Sequence, residues 1–277
     1  MKELLRNEIN RIIHARLFWV AIVIGCVVTV SQYFMMVVPC VKYLDLYKMQ
    51  PFGSLCPHTW YEKWIGGELI SSQAYIFFLI IPLLAVFPHS VSLAVDRKSG
   101  YICHMFLRKG KKEYYYSKFL STFISGGFVV VVPLLLNIVL SMCTLPSIYP
   151  DKSTGTSMIA GNKMWESFYF DHPNIYIIAY LIMIFLFAGT VAVFALTLGT
   201  YIYNYYVIFA LPFVMYLFVY ALCFSMRHLE YCPFMYLTPS QRVEWISFRI
   251  IFTEWLIFFA GTCLLYYRSM KKDESLY

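Results

Sequence analysis

The sequence predicts an all-α integral membrane protein with six transmembrane helices. Hydrophobic residues make up 60% of the 277-residue chain and charged residues 13%, with a mean hydropathy of +0.65. Soluble domains carry about 25% charged residues. The apolar residues are gathered in blocks long enough to cross a bilayer, which takes about 20 residues at ~1.5 Å each. The cations fall between the blocks, unequally on alternate sides. Six blocks qualify, at 17–38, 73–95, 119–143, 174–198, 207–226 and 247–267. Nothing between them reaches the roughly 40–50 residues that a separate core needs. Residues 1–277 therefore read as one membrane domain.

The N-terminal stretch KELLRNEINRIIHAR (2–16) places Leu4, Leu5, Ile9, Ile12 and Ile13 on one helical stripe, with the charges expected elsewhere. That suits an amphipathic helix in the membrane interface; the alternative is an extra solvated turn of the first span. The first block is read as a retained helix, because no small-x-small cleavage site follows it. Residues 39–72 contain Pro39, Pro51, Pro57 and Gly66-Gly67, and read as loop with one short piece near 60–65. LPSIYPDKSTGTS (145–157) is rich in turn residues and reads as a mobile loop. Residues 227–246 hold Leu229, Tyr231, Phe234, Met235, Tyr236, Leu237 and Trp245, broken by Pro233 and Pro239. This is too apolar for a free loop and too interrupted to span. It predicts a re-entrant or interfacial pair of short helices before the sixth span.

With six spans, one side of the membrane carries 14 Lys and Arg residues and the other 7. The positive-inside rule then places both termini in the cytoplasm of a cell-membrane protein. It also accounts for the net charge of +7 without a nucleic-acid partner. Trp60, Trp64, Tyr201, Tyr203, Tyr205, Tyr206, Tyr266 and Tyr267 crowd the ends of the blocks. An apolar ring with a polar tip favours the headgroup zone, so these read as anchors.

Catalytic and nucleotide-binding motifs are absent from the sequence. Gly110-Lys111 is the only Gly-Lys pair, with Met105 and Lys112 where a phosphate loop needs Gly and Ser or Thr. No H-E-x-x-H, G-x-S-x-G or C-x-x-C occurs. No catalytic, metal-binding or cofactor-binding residue is therefore assigned. Of the eight cysteines, Cys40, Cys56 and Cys232 fall on the outer side. A Cys40–Cys56 bridge is open, and unpaired buried cysteine is the commoner case. Among the polar residues inside predicted spans, Asn137, Arg249 and Glu254 stand out. A charge in lipid is costly and tends to be kept for function. Glu254 reads either as a structural partner or as part of a pathway. Arg249 lies about 140° around the helix from it, so the two are not expected to pair.

The loop DRKSGYICHMFLRKGKKEYYYSK (96–118) is the most informative stretch. Seven cations surround an apolar centre, Tyr101 to Leu107, at helical spacing. With the N-terminal helix, the six spans and the broken segment before span six, this order resembles the permease subunits of the ABC-2 family of ATP-driven exporters. The family loop has an acidic residue, a Gly a turn later, an apolar stretch, a basic cluster and a Lys entering span three. Here these are Asp96, Gly100, Tyr101–Leu107, Arg108 to Lys112, and Lys118. The family's acidic residue is more often Glu, followed by an aromatic and an acid, where this chain has Arg97-Lys98. The resemblance implies a cytoplasmic coupling helix that fits a groove on a separate ATPase subunit. Tyr101, Ile102, Met105 and Phe106 would insert, and Arg108, Lys111 and Lys112 would steer. ATP and Mg²⁺ would be bound by that partner, none by this chain. A second permease copy or a related permease would complete the pathway. The alternative for the loop is an interfacial turn on anionic lipid. The alternatives for the protein are an intramembrane enzyme, a small channel or a scaffold, none of which uses an ATPase.

Overall fold

The structure, a computed structural model, describes residues 2–48, 58–68, 70–152, 159, 163–202 and 204–272. Among these residues the regular structure is entirely helical. Five helices are long and apolar enough to cross a membrane: Arg16–Lys42, Lys111–Thr144, Pro173–Leu198, Tyr205–Met226 and Phe248–Lys271. The chain is thus an all-α protein of the multi-pass membrane type.

Helix α1 (Lys2–Ile13) precedes α2 (Arg16–Gln32), which runs on through a π-helical turn (Tyr33–Val37) into α3 (Val38–Lys48). The sequence reading ended this helix at 38. Pro39 has no N–H to offer the carbonyl four residues back, and the wide turn just before it lets the helix continue past the proline. A short α4 (Trp60–Lys63) lies where one short piece is expected. Helix α5 (Ser72–Val86) has 15 residues, about 22 Å at the helical rise, where a span over 73–95 is expected. A turn at 87–91, containing Pro88, separates it from α6 (Ser92–Lys98). Phe87 still has helical dihedrals (φ −56°, ψ −40°), and Pro88 then has no N–H to continue the ladder, so α5 gives way to the turn there. Helices α7 (Tyr101–Lys109) and α8 (Lys111–Thr144) follow.

Beyond them lie α9 (Glu166–Asp171), α10 (Pro173–Leu198), α11 (Tyr205–Met226), α12 (Pro233–Tyr236) and α13 (Phe248–Lys272). Helix α10 is the centre of the bundle and packs on α5, α8, α11 and α13. The α8–α10 contact is close because of Gly126: a Cβ there would overlap Ala192 and crowd the Ala188 carbonyl. Small residues that let helices approach are the usual basis of packing in lipid, where water drives nothing together. Before α12 a 3₁₀ turn (Leu229–Tyr231) completes the expected pair of short helical pieces. They are tied down at Phe234, Tyr236 and Leu237, all buried. Behind them, Gln241 accepts from the Met164 amide and donates to its carbonyl, each at 2.7 Å, while the Tyr176 hydroxyl donates to the Pro239 carbonyl at 2.6 Å. Cys56, Tyr203 and residues 153–158 of the turn-rich loop lie outside the described residues, so the Cys40–Cys56 bridge is not among the described features.

Candidate functional site

The N-terminal end of the bundle gathers most of the cations. It also holds a buried ionic cluster built from four elements. Leu4, Glu8 and Ile12 form the buried stripe of α1 at i, i+4, i+8. The expectation that the charges of α1 avoid its apolar face fails at Glu8. The stripe rests on α8, whose first turns present Tyr114 and Lys118. With 34 residues, about 51 Å, α8 exceeds the ~30 Å hydrocarbon core, so its ends have room to make polar contacts beyond the lipid.

Lys118 is 0% exposed and its ammonium sits between two carboxylates, Glu8 and Asp96, at 2.8 Å from each. Asp96, from α6, is itself 1% exposed. It accepts a two-pronged bond from the Arg11 guanidinium at 2.6 and 3.0 Å and another from the Tyr114 hydroxyl at 2.6 Å. On the other side His89, from the turn after α5, lies 3.0 Å from the Glu8 carboxylate. Paired carboxylates and cations balance, which is the condition for keeping charge in a low-dielectric interior.

Each ionisation follows from these contacts. Burial alone would raise Glu8, but the His89 hydrogen bond and the Lys118 charge outweigh it and bring the carboxyl down to about 2. Burial likewise opposes ionisation of Asp96, and the Arg11 and Lys118 contacts override it, holding its pKa below the ordinary value. Arg11 is raised, chiefly by its hydrogen bond to Asp96. His89 is pushed down to about 4, by burial first and then by Lys118 against the pull of Glu8. It is therefore neutral at pH 7 and donates its Nε2 proton to Glu8.

These directions predict acid sensitivity. The unfolded chain takes up the His89 proton below about pH 6.5, the folded chain only below about 4, so stability falls as pH drops through that interval. The Glu8 contribution is complete above about 4.5 and is lost as pH falls through about 2. Thermal unfolding of the purified protein should show a melting temperature that declines from pH 6.5 downward. His89→Gln should remove the part of the decline between 6.5 and 4 and leave the part below 4.5.

Helix α7 leans on this cluster. It is bounded by Gly100 (φ 72°) and Gly110 (φ 80°). A Cβ at either would meet nothing within 4 Å, so it is the left-handed backbone, not space, that calls for glycine. The apolar residues expected to insert into a partner divide between two faces. Ile102 is buried, and Met105 and Phe106 pack with it on Leu93, Tyr114 and Tyr115. They fix α7 to α6 and α8, Ile102 fully buried and Met105 and Phe106 half-buried. The outer face presents Tyr101, His104, Leu107 and Arg108, with Leu107 87% exposed. The Arg11 guanidinium stacks over the Tyr101 ring at 5.6 Å, and the Lys111 ammonium over Phe106 at 5.7 Å. Lys112, next in the chain, is exposed at the start of α8.

The three intramembrane polar residues go to separate places. Asn137 is a structural clamp: its Oδ1 accepts from the Ile65 amide, while its Nδ2 donates to the Thr29 carbonyl and the Gln32 side chain, all at 2.8–2.9 Å. Arg249 is exposed on α13 and, among the described residues, forms no ion pair with Glu254. Glu254 lies on the wall of a cavity of about 410 Å³. Sequence reasoning marked Asp96 and Lys118 as separate signposts and missed Glu8, Arg11, His89 and Tyr114 as their partners. The available signal was the spacing of Glu8, four residues from both Leu4 and Ile12. Among the described residues no three of His, Cys, Asp and Glu form a metal-binding group. Comparison of the chain with protein-family models, curated proteins and solved structures finds no match.

Proposed function

We propose that this chain is the permease subunit of an ATP-driven exporter, coupled through α7 to a separate ATPase subunit in the cytoplasm. The observation that supports this most is the build of α7. It is a nine-residue helix with a glycine hinge at each end, packed on α6 and α8 through one face and open on the other. A push on its outer face would reach α8 through Ile102, Phe106 and Tyr114. It would reach α1 through Asp96, Lys118 and Glu8. That gives one rigid path from a soluble partner to the longest membrane helix. ATP and Mg²⁺ would bind the partner, and this chain would supply only the lever and the pathway. The pathway would form with a second copy or a related permease.

This reading carries six spans, with α5 as the short second one, both termini inside, and the 39–72, 144–173 and 227–246 segments outside. Cysteine labelling in a cysteine-free background should therefore modify Lys152→Cys from outside the cell and Lys112→Cys only after the membrane is opened. The reverse pattern would overturn the orientation. The function is tested by purifying the tagged chain in mild detergent. An ATP-binding-cassette ATPase should co-purify in comparable molar amount, with ATP hydrolysis in the pool. A chain that purifies folded and without any such subunit would contradict the reading.

A further inference from the structure

Helices α11 and α13 each pack on α10 and leave between them the cavity that Glu254 borders. At about 410 Å³ it falls within the ~300–1,000 Å³ of small-molecule sites. Among the described residues that line it, Glu254 is the only charged one. Aromatic rings dominate the rest, among them Phe187, Phe194, Tyr216, Trp255 and Phe258. Tyr236 lines the same cavity as the carboxyl. Among the described residues, no Lys, Arg or His pairs with it.

Half-buried in an apolar wall, the Glu254 carboxylate lacks the counter-charge that Glu8 and Asp96 have. The walls decide what can supply it. A small metal ion exchanges its water for several strong oxygen ligands, and the side chains of this cavity offer one carboxyl beside the neutral phenols of Tyr216, Tyr231 and Tyr236. An organic cation brings its own apolar body. It gains area burial from the walls, charge attraction from Glu254 and the negative faces of the rings. We propose that this cavity binds a lipophilic organic cation, such as an aryl phosphonium or an alkylated ammonium, with Glu254 as its counter-charge. Binding is a property of this chain alone; its meaning as recognition of exported cargo rests on the exporter reading above.

Tetraphenylphosphonium and tetraphenylborate have nearly the same shape and opposite charge, which makes them the probes. Equilibrium dialysis of each against the purified chain at pH 8, with a detergent blank, measures saturable binding. The phosphonium should bind at least tenfold more tightly than the borate. Glu254→Gln, which keeps the shape of the side chain and removes its charge, should weaken phosphonium binding tenfold or more and spare the borate. Val219→Phe, which fills the cavity and leaves the carboxyl in place, should lower binding of both ions; it serves also if Glu254→Gln fails to fold. Equal affinity for the two ions, or phosphonium binding unchanged in either folded variant, would overturn the proposal. No ATPase is present in this experiment, so its failure leaves the exporter reading standing. Failure of ATPase co-purification likewise leaves the cation site standing.

Discussion

Lys118→Met should be the most damaging single substitution in this chain. The methionine matches the length of the lysine stem but leaves Glu8 and Asp96 facing each other without the cation between them. Removing one partner of a buried ion pair costs about 3–5 kcal/mol, because the remaining charge is stranded. Domain stability is typically only ~5–15 kcal/mol, so roughly a fifth of it or more would go. The melting temperature should fall by on the order of 10 °C, and α1 should come loose first, since Glu8 is the charged link on its buried stripe. The double variant Lys118→Met with Glu8→Gln should melt above the sum of the two single losses, because the stranded charge is then gone. Differential scanning fluorimetry of the four proteins measures this. Additive losses would mean that Lys118 and Glu8 act independently.

On the exporter reading, Tyr101→Ala with Leu107→Ala should strip the proposed ATPase subunit from the chain while lowering its melting temperature only slightly, through the lost Arg11–Tyr101 ring contact. Both side chains lie on the outer face of α7. Truncating apolar anchors at an interface costs about 1–3 kcal/mol of association, roughly 5- to 150-fold in affinity. Phe106→Ala and Ile102→Ala remove packing on Tyr114 and Tyr115 instead. They should lower the melting temperature, and only through that loosen the partner. Lys111→Ala with Lys112→Ala should slow association at low salt and lose that effect at high salt, as rim charges do, while a small stability loss from the Lys111–Phe106 ring contact remains. Retention of the ATPase measured at two salt concentrations separates these sets. If α7 touched only anionic lipid, the lysine pair would matter most and none of the variants would change retention in detergent.

Most of the helices were legible because an apolar run of 20 or more residues has one solution in lipid. The fifteen-residue α5 was not, because Pro88 and the turn after Val86 fall inside an apolar run that composition alone cannot divide. The broken segment before α13 was legible from its prolines among aromatics. The ionic cluster was half legible. Asp96 and Lys118 stand out beside the apolar blocks, but pairing them with Glu8, Arg11 and His89 needs the chain folded so that residues 81 to 110 apart meet. On α7 the sequence showed that an apolar face exists. It could not show that Ile102 and Phe106 turn inward and Leu107 outward, because the answer depends on where α8 lies.

The proposed coupling role of α7 is tested most directly by site-specific photo-crosslinking in intact cells. A photoreactive residue replaces Leu107 in one strain and Ile102 in another. The account predicts a strong adduct between position 107 and an ATP-binding-cassette ATPase, and from position 102 only products within the chain itself. An ATPase adduct missing from position 107, while the protein is folded in the membrane, would contradict it.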